Sequence, residues 1–220
     1  MKPILIFDLD GTLIDSAPDL HAAASRLLER EGHPPLSLTT IRSFIGNGIP
    51  VLVERIVATA GLDPLDHPRL VAAFLEDYLA HSTDLTGPYP GVVEVLAELK
   101  QSGFVLGVCT NKPHRPAEKI LEDLGLAAFF DGLIGGDTLK TRKPEPDGLL
   151  LLKDSLGGGP IVYVGDSEVD AETSRRAGIP FALFEAGYRK TAVSEIPHDA
   201  SFSTFRELPA VARVLLPVPA

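Results

Sequence analysis

The chain has 220 residues, of which 45% are hydrophobic and 23% are charged, and its formal net charge at pH 7 is -10. This length and composition allow one substantial core, or a core with a smaller inserted domain, and they exclude a mainly disordered chain. Because so negative a chain repels phosphate backbones and anionic headgroups, we expect no nucleic acid or membrane partner, and a small anionic substrate would need local positive charge.

Export signals and membrane spans are not expected either. The apolar run that follows Lys2 is interrupted at Asp8, which is too early for a signal peptide, and no stretch approaches the roughly 18 apolar residues of a transmembrane helix. Cys109 is the single cysteine, so it cannot form an intramolecular disulfide, which is consistent with a reducing compartment. The sequence therefore predicts a cytoplasmic protein, which we expect to be a monomer or a homodimer.

The first predicted element is a strand at residues 4 to 8, ILIFD. A continuous apolar run of this kind is typical of a strand buried on both faces in a parallel sheet. The sequence then changes character, because residues 16 to 84 contain three helical patterns and no convincing strand. We call residues 16 to 84 the cap segment, and we predict that it is a helical cap inserted into a core made of residues 1 to 15 and 85 to 220.

Two patterns of the cap segment have the apolar spacing of amphipathic helices. Their apolar residues are Leu20, Ala23, Ala24, Leu27 and Leu28, and then Ile49, Leu52, Val53, Ile56 and Val57.

Glycines and prolines at 87 to 91 mark the return to the core, after which strand and helix patterns alternate. Strands are predicted at 104 to 110, 132 to 136, 160 to 166 and 180 to 184, and helices at 92 to 100 and 116 to 126. The alternation predicts an α/β fold with a doubly wound parallel sheet. The last residues, PVPA at 217 to 220, are expected to be a frayed end.

Two aspartates stand at the end of the first strand. Asp8 and Asp10 in FDLDGT are two residues apart, so they share a face at the carboxyl edge of the sheet, where open α/β sheets bind ligands. Adjacent carboxylates repel each other unless a cation bridges them or one holds a proton, and an oxygen-rich pair suits Mg²⁺. A turn or helix cap would explain Asp10 before Gly11, but it would not explain Asp8 at the end of a buried run.

A second predicted strand also ends in a carboxylate. In VGDSEVD, Asp166 ends the strand and Asp170 follows four residues later on a starting helix, so both side chains would face the same way. Capping of that helix by Asp166 or Ser167 is the alternative. The recurrence of the arrangement favours a shared site.

Two further segments offer groups that bind phosphate. Thr110 and Asn111 follow the strand at 104 to 110 and present a hydroxyl and an amide beside a helix start. Lys143 in TRKPEP precedes a proline, so it lies in an extended or turn conformation from which its ammonium could reach a phosphate. The alternative for Lys143 is a solvated surface lysine.

Taken together, DLDGT, TN, KPEP and GDSEVD resemble the four motifs of the haloacid dehalogenase superfamily, in the family's order. The resemblance covers the predicted core, and the cap segment is similar to the small cap of that superfamily. It implies phosphomonoester hydrolysis through an aspartyl-phosphate intermediate. Asp8 would be the nucleophile, Asp10 the general acid and base, and Thr110 and Lys143 the phosphoryl clamps.

The same resemblance implies a Mg²⁺ cofactor. The metal would be held by the carboxylates of Asp8 and Asp166 and by the backbone carbonyl of Asp10, with Asp170 supporting the site. Its charge would offset the repulsion between the nucleophile and the phosphate.

The segments DSAPDL, IGNGIPVLVER and YPGVVEVLAELK, together with TNKP, look like bacterial phosphoglycolate phosphatases in particular. This resemblance implies hydrolysis of 2-phosphoglycolate to glycolate and phosphate, and the alternative substrates are another small phosphoester or pyrophosphate. The residues expected to contact the substrate are Thr12, Asn111, Arg42, Gly46, Asn47 and Gly48.

Two of these expectations concern the cap segment. The glycines of Gly46-Asn47-Gly48 separate two helical stretches, as in a loop that lets backbone approach a small substrate, although an ordinary helix-helix turn fits the spacing equally well. Arg42 is the basic residue nearest this loop in sequence, because Arg55 lies well into the next helix. Arg42 could pair with the substrate carboxylate, and the alternative is an exposed helical arginine.

Other functions compete with a phosphatase. A phosphosugar mutase of the same fold would carry a histidine where Leu20 stands, and His21 is on a different helical face. A phosphonate-cleaving relative would lack the Asp10 carboxylate. A receiver-type signalling module would lack the cap segment and Asp10 and would hold its phosphate. A non-catalytic interaction protein would be expected to have lost at least one of the carboxylates.

Overall fold

The structure is a computed structural model that describes residues 1–216, and the frayed end predicted at 217 to 220 lies outside them. Its strands are β1 (Ile4–Phe7), β2 (Ile14–Asp15), β3 (Gly87–Pro88), β4 (Val105–Cys109), β5 (Gly132–Ile134), β6 (Ile161–Gly165), β7 (Phe181–Phe184) and β8 (Ala200–Phe202). Its α-helices are α1 (Ala17–Arg30), α2 (Leu38–Phe44), α3 (Ile49–Ala60), α4 (His67–Ala80), α5 (Val92–Gln101), α6 (His114–Asp123), α7 (Asp147–Ser155), α8 (Glu168–Ala177) and α9 (Leu208–Leu215). Within residues 1–216, no helix has both the length and the apolar character that crossing a bilayer requires. The cytoplasmic location and the oligomeric state stay predictions.

Six strands form a parallel sheet in the order β5-β4-β1-β6-β7-β8. β1 lies inside it, since Ile4 pairs with Val105 of β4 on one side and with Ile161 of β6 on the other. The chain therefore winds outwards from β1 in both directions. The predicted doubly wound α/β fold is confirmed.

Helices cover both faces of this sheet. Leu5 and Phe7 of β1 belong to an apolar cluster that includes residues of α5, α6 and α9, whereas Ile4 and Ile6 belong to a second cluster that includes residues of α7 and α8. Alternate side chains of a strand point to opposite faces, so a strand covered on both sides needs apolar residues at every position. This explains the continuous apolar run at the start of the chain.

The cap segment contains four α-helices, α1 to α4, where the sequence analysis found three patterns. The short helix α2 has seven residues, and only Ile41 among them is buried, so it has too little apolar periodicity to stand out. Ser37 begins it, because the Ser37 side chain accepts a hydrogen bond from the backbone N–H of Thr40 at 3.1 Å. The boundaries of the cap segment stay a prediction.

The chain enters the cap segment through β2 and returns from it through β3, and these two short strands pair with each other. β2 and β3 form an antiparallel pair in which Ile14 lies opposite Pro88. Asp19 in α1 is buried and accepts hydrogen bonds from the backbone N–H groups of Leu85 and Thr86, at 3.0 and 2.7 Å, and from the Thr86 hydroxyl at 2.6 Å. The start and the end of the helical segment are therefore held by one carboxylate.

Candidate active site

The predicted motifs meet where β4, β1 and β6 end. Asp8 directly follows β1, Thr110 follows β4 and Asp166 follows β6. Because the three strands are adjacent and parallel, these residues emerge at the same edge of the sheet, and all three are buried there. Lys143 reaches the same place from the loop between β5 and α7.

Lys143 links two of the carboxylates. Its Nζ lies 2.8 Å from Asp8 Oδ1 and 2.7 Å from Asp170 Oδ1, and it donates a hydrogen bond to the Tyr163 hydroxyl at 2.9 Å. Burial alone would lower the pKa of Lys143, but the charges of Asp170 and Asp8 outweigh burial and hold the pKa above its usual range. Lys143 is thus a buried cation fixed beside Asp8, and not a solvated surface lysine.

Asp166 and Asp170 are each held by several donors. Asp166 accepts hydrogen bonds from the Thr12 hydroxyl at 2.7 Å and from the backbone N–H of Tyr188 at 2.6 Å. Asp170 Oδ2 accepts from the backbone N–H of Ser167 at 3.1 Å and from its hydroxyl at 2.6 Å. Ser167 is the N-cap of α8, as the capping alternative supposed, whereas the Asp166 side chain lies against Thr12 and Tyr188. Thr12 is predicted to contact substrate, but its hydroxyl donates a hydrogen bond to Asp166.

Three buried carboxylates are crowded at this edge, and oxygens of Asp8, Asp166 and Asp170 lie within 4.8 Å of one another. Burial raises the pKa of Asp8 to about 6, although Lys143 opposes the rise. Burial, with the neighbouring charges of Asp170 and Asp8, raises the pKa of Asp166 well above its usual value. For Asp170 the direction is opposite: burial would raise its pKa, but Lys143 outweighs burial and holds the pKa below its usual value.

This group of residues fits a divalent cation. Three ionised carboxylates beside one ammonium leave two negative charges uncompensated, and hard oxygen ligands are those that Mg²⁺ prefers. Asp8 Oδ1 is buried and, despite its closeness to Lys143, has no well-directed hydrogen bond. Both oxygens of Asp170 are already engaged by donors. Asp8 and Asp166 are therefore the residues of this group that could ligate a metal directly.

Asp10 has its own buried cation, Lys112, which the sequence analysis did not single out. Lys112 Nζ lies 2.8 and 3.1 Å from the two Asp10 carboxylate oxygens and 2.8 Å from the Tyr78 hydroxyl, and the Ser16 hydroxyl donates to Asp10 Oδ1 at 2.6 Å. Burial would lower the pKa of Lys112, but Asp10 and Tyr78 outweigh it and raise the pKa. The signal was available, because Lys112 precedes Pro113 as Lys143 precedes a proline.

Asn111 connects the loop at 46 to 48 with the core. Its side-chain amide donates to the backbone carbonyls of Gly46 and Lys143, both at 3.0 Å. Gly46 and Gly48 have φ values of 113° and 83°, in the left-handed region that favours glycine. Asn47 turns its side-chain oxygen to Arg55 at 3.1 Å. The loop and Asn111 therefore lie together, with the amide of Asn111 already bonded to backbone.

Arg42 and Arg55 contact groups other than those that their sequence positions suggested. The Arg42 guanidinium lies 4.9 Å from the centroid of the Tyr188 ring, in a groove that Arg189 and Lys190 also line. Arg55, although it lies in the next helix, reaches back to the loop and donates to the Phe44 carbonyl at 2.8 Å. Arg42 is therefore not the basic residue that contacts this loop, and the structure does not bring it into the pocket of Asp8 and Asp10.

A pocket separates the cap segment from the sheet edge. Apolar residues form its cap side, and the motif residues with the loop form the rest. Its lining consists of Leu20, Ile45, Ile49, Leu52, Gly46, Gly48, Asp8, Asp10, Thr110, Asn111 and Lys112. The arrangement offers two carboxylates and a buried ammonium to one small ligand.

Comparison with known proteins gives consistent results. Residues 5–184 match the family described as haloacid dehalogenase-like hydrolase. The phosphoglycolate phosphatase of Cereibacter sphaeroides is 45% identical over 216 residues, which cover 97% of this chain and 99% of the relative. That of Rhodobacter capsulatus is 43% identical over 213 residues, 96% and 97% of the two chains. The crystal structure of a predicted phosphoglycolate phosphatase from Haemophilus somnus is similar with a TM-score of 0.90 at 30% identity, and the match covers 94% of this chain and 96% of that one.

Proposed function

Since the chain belongs to the haloacid dehalogenase-like hydrolase family and its relatives are phosphatases, it is a phosphatase, and we propose that it hydrolyses 2-phosphoglycolate to glycolate and phosphate. The observation that carries the proposal is a pocket with a buried cation beside each carboxylate: Lys143 beside Asp8, and Lys112 beside Asp10. Two ammonium groups thus lie at the pocket of a chain of negative net charge, and together with a bound divalent cation they would balance the charges of Asp8, Asp10, Asp166 and Asp170 for a small anionic substrate.

The proposed reaction has two steps. The Asp8 carboxylate attacks phosphorus, the bond from phosphorus to the glycolate oxygen breaks, and Asp10 gives that oxygen a proton. A water oxygen then attacks phosphorus, Asp10 takes a proton from the water, and the bond from phosphorus to the Asp8 oxygen breaks. Phosphate leaves, Asp8 is a carboxylate again, and Asp10 holds the proton that it gives in the next cycle. The Ser16 hydroxyl and Lys112 hold the Asp10 carboxylate in place for both transfers.

The phosphoryl oxygens would be held by Thr110, which follows the strand next to β1, and by Lys143, whose Nζ lies 2.8 Å from Asp8. Phosphoryl transfer depends mainly on such positioning and charge stabilisation. We propose that Asn111 and the backbone of residues 46 to 48 enclose the rest of the substrate, because both line the pocket. The proposed contacts of Thr12 and Arg42 have less support, since Thr12 donates to Asp166 and Arg42 lies over Tyr188.

The metal of this reaction is proposed to be Mg²⁺. Asp8 and Asp166 would hold it through their carboxylates, and Asp10 through its backbone carbonyl. When bound, it supplies positive charge between the nucleophile and the phosphate. Asp170 supports this arrangement because it positions Lys143 and the backbone that follows β6.

The pocket favours a phosphatase over a phosphosugar mutase. Leu20 lines the pocket at the position where a mutase would need a histidine. His21 is engaged elsewhere, because its Nε2 lies 2.9 Å from the carbonyl oxygen of Leu36. The Asp10 carboxylate and the helical segment α1 to α4 likewise favour a hydrolase over a receiver-type module.

The test is a comparison of kcat/KM for 2-phosphoglycolate, glucose 6-phosphate and pyrophosphate with Mg²⁺ present. We expect 2-phosphoglycolate to be preferred by about tenfold or more. The Asp8→Asn protein, purified in the same way, serves as the blank for contaminating phosphatases. A higher kcat/KM for either of the other two substrates would assign the enzyme to a different substrate class.

A further inference from the structure

A buried polar link joins the sheet edge to helix α4. The side chain of Tyr78 in α4 is fully buried, and its hydroxyl accepts a hydrogen bond from Lys112 Nζ at 2.8 Å. The same ammonium lies 4.8 Å from the centre of the Tyr78 ring and contacts both carboxylate oxygens of Asp10. A lysine side chain is long and flexible, so an ammonium held by two fixed partners is unusually well aimed.

In 2-phosphoglycolate the second anionic group, the carboxylate, lies close to the leaving oxygen. Under the proposed mechanism Asp10 marks the position of the leaving oxygen, and in 2-phosphoglycolate the carboxylate carbon is two bonds from that oxygen. Lys112 lines the pocket beside Asp10, whereas the ammonium of Lys143 lies beside Asp8. Ser16 also donates to Asp10, so Asp10 keeps a partner if Lys112 turns one N–H towards the substrate.

Other cations of the region are placed less well for this task. Arg42 stacks on Tyr188 in the adjoining groove, and Arg55 is bonded to the Phe44 carbonyl and to Asn47. Lys190 lines an adjoining pocket that also contains Asp8 and Asp10, on the side of Asp166 and Tyr188. Lys112 lines the pocket beneath the cap residues Leu20, Ile49 and Leu52, and it contacts Asp10 directly.

We propose that Lys112, aimed by Tyr78, binds the carboxylate of the substrate and thereby selects phosphoesters with an anionic group two bonds from the leaving oxygen. The proposal rests on 2-phosphoglycolate being the substrate. Lys112 touches the substrate, whereas Tyr78 acts through Lys112 as a positioning residue. Because Tyr78 belongs to the cap segment and Lys112 to the sheet edge, the carboxylate site is complete only when the two are together.

The test compares two substrates that differ in this one group. Isobutyl phosphate has two methyl groups where 2-phosphoglycolate has two carboxylate oxygens, so the ratio of their kcat/KM values isolates recognition of the carboxylate. We expect Lys112→Met to lower this ratio about 10- to 100-fold, as the loss of a charge-assisted hydrogen bond would, and Tyr78→Phe to lower it about 3- to 10-fold. Lys112→Arg, which keeps a cation, should retain part of the preference. Lys119→Met is the matched control, since Lys119 pairs with Asp123 on the surface of α6.

The ratio separates recognition from general damage, because weaker catalysis by Asp10 slows both substrates alike. A parent enzyme with no preference for 2-phosphoglycolate would overturn the proposed function itself, and the inference with it. A parent with a clear preference that survives in Lys112→Met and Tyr78→Phe would overturn the inference alone, and loss of the preference in Arg42→Ala would then assign the carboxylate to Arg42. If Lys112→Met fails to fold in a thermal melt, Lys112→Arg and Tyr78→Phe decide the question by the same ratio.

Discussion

Adding Mg²⁺ to the metal-free protein should raise its melting temperature, and Asp166→Asn should remove most of that rise. The reason is the group of three buried carboxylates, Asp8, Asp166 and Asp170, which faces one buried ammonium. A cation that binds the folded state and not the unfolded chain stabilises the fold by mass action. The measurement is independent of turnover, so it tests the metal site even if the substrate has been assigned wrongly.

The size of the effect follows from the ligand concentration. At a free Mg²⁺ concentration of about 100 times the dissociation constant, the stabilisation is about 2.7 kcal/mol. For a domain of this length each kcal/mol moves the melting temperature by about 2 to 4 °C, so the expected rise is about 5 to 10 °C. Asp166→Asn removes one anionic ligand, and we expect less than about 2 °C of that rise to remain.

The assay is differential scanning calorimetry in EDTA and in a series of MgCl₂ concentrations. NaCl at matched ionic strength is an essential control, because salt alone relieves self-repulsion in a chain of net charge -10. Asp84→Asn is the control variant, since Asp84 is exposed and pairs with His81 far along the chain from the motifs. The reasoning is refuted if MgCl₂ adds nothing beyond NaCl, or if Asp166→Asn shows the full rise.

Three further predictions concern single aspartates. Asp8→Asn should reduce turnover to below a few per cent, because an amide is a poor nucleophile; a higher residual rate, with deamidation excluded by mass spectrometry, contradicts the covalent mechanism. Asp10→Asn should slow hydrolysis of an alkyl phosphate more than that of p-nitrophenyl phosphate, whose leaving group needs no proton; equal losses count against the acid role. Asp19→Ala should lower the free energy of unfolding by about 2 to 4 kcal/mol in urea titration, because the buried N–H and hydroxyl groups of Thr86 lose their acceptor; an unchanged midpoint would show that the ends of the helical segment are held otherwise.

Much of the sheet could be predicted because its strands are buried on both faces. The apolar runs that became β1, β4 and β6 leave little choice of structure once each is followed by glycine or polar residues. The edge strand β8 and the short strands β2 and β3 were not predicted, because two or three residues are too few to show an alternation of apolar and polar side chains. Their pairing is decided by what lies opposite, which a linear pattern does not contain.

The site was predictable to the extent that its residues end strands. The sheet determines the location of Asp8, Thr110 and Asp166, because each follows one of three adjacent parallel strands. Their convergence therefore follows from the strand order. Lys112 was missed although it precedes a proline as Lys143 does, because its burial depends on Tyr78, which is distant in sequence. Sequence proximity misled in the case of Arg42, because a helical side chain faces whatever packs beside its helix, here the ring of Tyr188.

The interior position of β1 has a consequence for synthesis on the ribosome. The first strand to be made must wait for both of its neighbours, since Ile4 pairs with Val105 and with Ile161. At about 5 to 20 residues per second, the second neighbour is translated roughly 10 to 30 s after the first strand. Helices α1 to α4 can pack against one another well before that. Throughout this interval at least one edge of the ILIF run has no partner strand, and such an apolar edge is open to pairing with other chains.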